Sequence, residues 1–138
     1  MELNDYIRPG ISVTHRRIVE KEHTAPHVGS GLAPVLATPV LVNLFEAAAL
    51  ELVESSLPAG SQSLGTRLEI NHTAATPVGM QVTVKVLLSE VKGRKLVFEL
   101  TASDEVETIG SGSHERIVVD TEGFVRRVQA KADSCSGR

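Results

Sequence analysis

The sequence predicts an α+β domain in which a curved antiparallel sheet wraps one long central helix. The chain carries one strong helix signal, Val40 to Leu57 (VLVNLFEAAALELVESSL), and the segments after it alternate apolar and polar residues as strands do. Its 138 residues suit one domain, and a hydrophobic fraction of 41% against 22% charged residues can fill a core. That domain is expected over residues 1–130, followed by a flexible polar tail over 131–138.

Composition removes several functions. A net charge of -3 gives no positive field for a phosphate backbone, and 3% aromatics with no Trp leave no platform on which bases stack, so nucleic acid is not an expected partner. The single cysteine, Cys135, cannot form an internal disulfide. The N-terminal residues lack the basic-then-apolar pattern of a signal peptide, and no apolar run reaches membrane-spanning length, so a soluble cytoplasmic protein without membrane partners is expected.

Ile11 to Val19 mixes apolar and basic residues and suits an edge strand. Glu20 to Ala37 holds His23, Pro26, His27, Gly29, Gly31 and Pro34 and reads as a loop. Thr38 before Pro39 then marks a helix start, with Thr as the N-cap and Pro at the first helical position. The helical run would span roughly 27 Å at 1.5 Å per residue and stops at Pro58-Ala59-Gly60. It is apolar on nearly every side before Glu51, which predicts burial of most of its surface.

Strands are expected at Ser63–His72, Gln81–Val91, Arg94–Ser103 and Val106–Val119. Val82, Val84, Val86 and Leu88 share one face of the second, and Leu96, Phe98 and Leu100 one face of the third. Lys92-Gly93 and Asp104-Glu105 supply the turns. A buried helix followed by long antiparallel strands is the order of the hot-dog fold. A sheet of this size leaves an edge or face open, which a second copy is expected to cover as a homodimer.

Glu46 is the most conspicuous candidate for chemistry. It lies among Leu44, Phe45 and Ala47 to Ala49, where an ionised carboxylate costs several kcal/mol unless paired. Asn43, three residues earlier, shares its face and suits a pocket lining. Thr38 lies two turns before Glu46. As an N-cap it needs no further role, yet a hydroxyl at a helix N-terminus also suits a thioester carbonyl or an oxyanion. His72 ends a strand before Thr73-Ala74-Ala75-Thr76-Pro77. A lone His is commonly structural, whereas a His with a carboxylate and a hydroxyl nearby forms a set for general-base hydrolysis. His23 and His27, four apart, lack the partners of a zinc set, so no metal is expected. Gly110 and Gly112 stand inside a strand, where they would let the helix approach closely.

Gly65-Thr66 through His72-Thr73-Ala74-Ala75-Thr76-Pro77, followed by Gly110-Ser111-Gly112-Ser113-His114-Glu115-Arg116, closely resembles the fluoroacetyl-CoA thioesterase family of hot-dog proteins. The helix from Thr38 to Leu50, with its embedded Glu, also aligns, so the resemblance covers roughly Val35 to Val119. It implies a catalytic Thr, Glu and His at Thr38, Glu46 and His72. It implies further that Gly65 helps hold the thioester carbonyl and that Arg116 takes the family Arg's place near the substrate. A homodimer with CoA bound along the subunit interface is also implied, with no cofactor beyond the CoA of the substrate. In one respect the chain departs from the family pattern. The resembling enzyme has a longer loop before its Thr, with phenylalanines forming a lid, whereas Glu20–Ala37 is short and has no Phe. The expectation is an acyl-CoA thioesterase not selective for fluoroacetyl, its acyl group open. A hot-dog enoyl-CoA hydratase is disfavoured because no Asp lies between Asp5 and Asp104. A non-catalytic acyl-CoA-binding module is the remaining alternative.

Overall fold

The computed structural model describes residues 2–135. Strand β1 (Ser12–Ile18) is followed by a 3-10 turn (Lys21–His23), the short helix α1 (Ala25–Val28) and the long helix α2 (Thr38–Val53). A second 3-10 turn (Glu54–Ser56) leads into β2 (Ser61–His72), β3 (Gln81–Lys92), β4 (Lys95–Ser103) and β5 (Thr108–Asp120), and a C-terminal helix α3 (Thr121–Asp133) ends the fold. The strands form one antiparallel sheet in the order β1-β3-β4-β5-β2, curved against α2 as in a hot-dog fold.

The sheet follows the alternation in the sequence. Val82, Val84, Val86 and Leu88 of β3 and Leu96, Phe98, Leu100 and Ala102 of β4 are all buried toward the helix. The β3–β4 hairpin closes over Gly93 and Arg94, with Lys92 opposite Lys95 and Gly93 at φ 62°. Asp104 closes the next turn by accepting the N–H groups of Val106 and Glu107.

Helix α2 departs from its expected burial. Leu41, Phe45, Ala48, Ala49 and Val53 form one buried stripe at helical spacing, while Asn43, Ala47, Leu50 and Glu51 are exposed on the other side. A five-stranded sheet covers one face of a helix and leaves the opposite face open. The helix also starts differently from its sequence signature. Ala37 is the N-cap and Thr38 the first helical residue, so the Thr38 hydroxyl is free of capping and bonds elsewhere.

Helix α3 crosses the boundary drawn at residue 130. Asp120 caps it by accepting the Gly123 N–H at 2.8 Å, and none of its residues is buried. Residues 136–138 of the expected tail lie outside the described residues. Among the described residues, no helix is long and apolar enough to cross a membrane.

Candidate active site

The functional candidates fall into two clusters along β2, one at its end at His72 and one seven residues earlier at Gly65. The first joins the start of α2 to the end of β2. The Thr38 hydroxyl lies 2.7 Å from His72 Nδ1. Backbone bonds hold the two segments in place: Leu36 N–H donates to the Thr76 carbonyl, and Thr73 N–H to the Ile109 carbonyl. Burial holds the His72 imidazole below its ordinary pKa, because the charged form loses solvation. Its Nε2 is buried and, among the described residues, has no hydrogen-bond partner. Beside the pair opens a groove of about 310 Å³ lined by small side chains, including Ala25, Ser30, Ala37, Ala74 and Ala75.

The second cluster surrounds Gly65. A Cβ there would stand 3.0 Å from Glu46 Oε2, 3.3 Å from His114 Cε1 and 3.5 Å from Arg116 Nη1. The missing side chain is therefore what admits the Glu46 carboxylate. Glu46 is half-buried, less enclosed than its apolar neighbours suggest, because it borders the open face of α2. Beside Gly65 the β2–β5 register slips by one residue, and the adjacent Thr66 bonds the Glu115 carbonyl through its hydroxyl.

Arg116 and His114 are buried beneath this cluster. His114 Nδ1 donates to the Arg67 carbonyl at 2.8 Å, which leaves Nε2 to accept from Arg116 Nη1 at 3.3 Å. Burial, together with the Arg116 charge, lowers the pKa of His114 and keeps it neutral, against smaller opposing contributions from the Arg67 carbonyl, Glu46 and Glu115. Its ring stacks on Phe98 with centroids 5.5 Å apart.

Of the residues singled out in the sequence, Thr38 and His72 meet directly, and Glu46, Gly65 and Arg116 meet at the second cluster. A single chain keeps the two groups apart. Gly65 and His72 are seven residues apart on a strand that rises about 3.3 Å per residue, so roughly 20 Å separates them. Asn43 stands exposed on the open face of α2, one turn from Glu46. Gly110 does face the helix, where a Cβ would lie 3.2 Å from Leu41 Cδ2. Gly112 instead faces the β2 backbone at Glu69 and Ile70, so its small size serves strand packing. His23 caps the turn before α1 by accepting the Glu20 N–H on Nδ1. Sequence reasoning missed Glu54 and Ser63, which bond to each other, Ser63 in turn accepting from Arg116. Their signal is slight, since Glu54 reads as a polar residue near the end of the helical run and Ser63 as the first residue of the next strand, on either side of the breaker Pro58-Ala59-Gly60.

Residues 19–122 match the family described as fluoroacetyl-CoA-specific thioesterase. The chain is 38% identical over 135 residues to the fluoroacetyl-CoA thioesterase of Streptantibioticus cattleyicolor, covering 94% of this chain and 97% of that protein. A solved structure of the fluoroacetyl-CoA thioesterase FlK superposes with a TM-score of 0.84 at 38% identity, over 91% of this chain and 97% of the other. A hot-dog-like protein from Thermanaerovibrio acidaminovorans superposes with a TM-score of 0.88 at 26% identity, over 95% and 97%. The two polar clusters on a hot-dog frame thus coincide with a family match over most of the chain, and the protein belongs to the fluoroacetyl-CoA-specific thioesterase family and is a thioester hydrolase.

Proposed function

We propose that the protein hydrolyses acyl-CoA thioesters at two equivalent sites of a homodimer, each combining Thr38 and His72 of one protomer with Glu46, Gly65 and Arg116 of the other. The observation that carries this reading is the separation of the two clusters along β2. This strand pairs with β5 on one side only and is a twelve-residue edge of the sheet. So long an edge attracts a partner strand. Antiparallel pairing of β2 with its copy about a two-fold axis near Leu68 and Glu69 would set Gly65 opposite the partner's His72, twice over by symmetry. The open face of α2, with Asn43, Ala47 and Leu50, would then pack against its copy.

In such a site the carbonyl of the thioester sits over Gly65, with Arg116 Nη1 on the side where negative charge develops. Water adds its oxygen to the carbonyl carbon and gives its proton to the imidazole. Collapse of the oxyanion breaks the C–S bond, and the thiolate of CoA leaves with that proton. Thr38 orients the imidazole through Nδ1, and the Glu46 carboxylate stabilises its charged form. The same atoms also permit direct attack by Glu46 to give an anhydride that water then opens. Single turnover in H₂¹⁸O tests the second route, because label enters Glu46 when water opens such an anhydride at the Glu46 carbonyl carbon and never in the first route.

The substrate itself brings CoA, and the residues named require no further cofactor. The small-residue groove beside His72 and the absence of Phe from residues 20–37 support an enzyme with little preference for fluoroacetyl over acetyl. An unpaired exposed cysteine, Cys135, suits the reducing cytoplasm.

Subunit complementation tests the shared site. Glu46→Gln and His72→Ala homodimers should each be nearly inactive. Mixed and allowed to exchange, they should recover about a quarter of parental activity, since half of the dimers are mixed and each of those rebuilds one intact site. No recovery from subunits shown to exchange would place the whole site within one chain.

A further inference from the structure

Behind Gly65 runs a chain of hydrogen bonds that the hydrolysis above does not use. Glu54, at the start of the 3-10 turn after α2, accepts the Ser63 N–H on Oε2 at 2.9 Å and the Ser63 hydroxyl on Oε1 at 2.5 Å. Having donated its proton to Glu54, the Ser63 oxygen accepts from Arg116 Nε at 2.8 Å. Arg116 Nη2 donates to the Ser63 carbonyl at 3.1 Å, and Nη1 to His114 Nε2 at 3.3 Å. Every nitrogen of the guanidinium thus has a partner in this network, while Nη1 also borders Gly65 and keeps a second N–H, and Ser63, His114 and Arg116 are all buried.

Two carboxylates of the same helical segment flank this one cation. Glu54 holds it through Ser63, and Glu46 lies across Gly65 from Nη1. Burial lowers the pKa of Arg116, and the two carboxylates oppose that shift. With Glu54 removed, Glu46 is the remaining carboxylate acting on Arg116, and the arginine would gain by closing on it, because a buried cation left without its partner seeks another anion. That closure would neutralise the carboxylate the reaction uses and fill the space over Gly65.

Resting on the functional reading above, we propose that Glu54 is a positioning residue: acting through Ser63, it holds Arg116 back from Glu46, so that the carboxylate stays free and Nη1 stays aimed at the thioester oxygen. Ser63 is the joint of this arrangement, since one hydroxyl both donates to Glu54 and accepts from Arg116.

A double-mutant cycle tests it. In the full-length protein, Glu54→Ala should lower kcat tenfold to a hundredfold, the order of loss expected from misplacing a group by about 1 Å, with KM changed less than about twofold. In an Arg116→Ala background the same substitution should change kcat by less than about twofold, because its effect passes through Arg116. A merely structural Glu54 would produce losses that multiply, and that result overturns the proposal, as does parental kcat in folded Glu54→Ala. Should Glu54→Ala fail to fold, Ser63→Ala takes its place in the cycle, with the same outcomes. A second readout does not depend on activity. The Nε–H proton of Arg116, followed by ¹⁵N NMR, should exchange slowly with water in the parent and at least tenfold faster in Glu54→Ala. Unchanged exchange refutes the positioning. A parent that hydrolyses no acyl-CoA would instead refute the functional reading, and the exchange measurement would then decide the proposal alone.

Discussion

His72 is poised by burial and by one hydroxyl. Loss of solvation lowers its pKa from the ordinary value of 6.5, so the ring is neutral at neutral pH and able to take a proton. Protonation removes that capacity, so kcat/KM should fall with acid through the depressed pKa. The acid limb should therefore centre below 6.5, and a limb centred above that value would contradict the assignment. Stability carries the same sign. His72 and His114 both have lowered pKa values in the fold, so below about pH 6.5 the unfolded chain binds protons that the folded chain does not. Thermal unfolding should show stability rising with pH through that window and flattening above it. His72→Ala should lower kcat by about 10²–10⁴-fold, the range for a lost general base, while the chain stays folded. At Gly65, an added methyl meets Glu46 Oε2 at 3.0 Å. The carboxylate is the movable end of a flexible side chain, so Gly65→Ala should displace it and cost kcat with little loss of melting temperature.

At the scale of elements, α2 carries both the core and the carboxylates. Phe45 is fully buried beside Glu46, and Phe45→Ala should destabilise the protein by about 3–5 kcal/mol in chemical denaturation. A loss under 1 kcal/mol would mean that the helix does not rest on the sheet as described. This contact was legible in the sequence, because Val82, Val84, Val86 and Leu88 alternate against polar neighbours and so announce a buried face. Other features were hidden for physical reasons. Thr38-Pro39 carries the signature of a helix cap, yet Ala37 occupies that position and His72 takes the hydroxyl, a competition no local pattern reveals. Helix α3 buries no side chain and lacks the apolar run that marks α2, so Asp120 was its main marker. Thr38, Glu46 and His72 were named from an apolar setting and a family likeness. Their division along β2 depends on a seven-residue spacing that matters only once the strand is known to be an edge. Glu54 and Ser63 escaped notice because Arg116, which bonds Ser63, is 53 residues further along the chain and reaches it only through β2–β5 pairing.

For the whole molecule, the open face of α2 and the free edge of β2 are the surfaces on which the proposed assembly rests. Leu50 is 42% exposed on that face in the single chain. If two chains meet there, the groove beside His72 opens toward the interface and is bounded by the loop between β1 and α2. That loop contributes Ala25, Ser30, Val35, Leu36 and Ala37, none of them aromatic. Discrimination between acetyl and fluoroacetyl rests on one small substituent, and contacts to a group of that size are worth only about 1–3 kcal/mol. Larger selectivity would need an ordered lid that closes differently over the two acyl groups, and the segment 20–37 has no Phe to form one. The kcat/KM values for acetyl-CoA and fluoroacetyl-CoA should therefore agree within about tenfold to a hundredfold. The comparison is best made on enzyme shown by sedimentation to be dimeric, because in the proposed arrangement a monomer lacks half of each site. A dimer that prefers fluoroacetyl-CoA by several orders of magnitude would show that the fluorine is recognised by some other part of the site. Arg116 beside Gly65 would be the first residue to test, with Arg116→Lys keeping the charge while removing the planar fork.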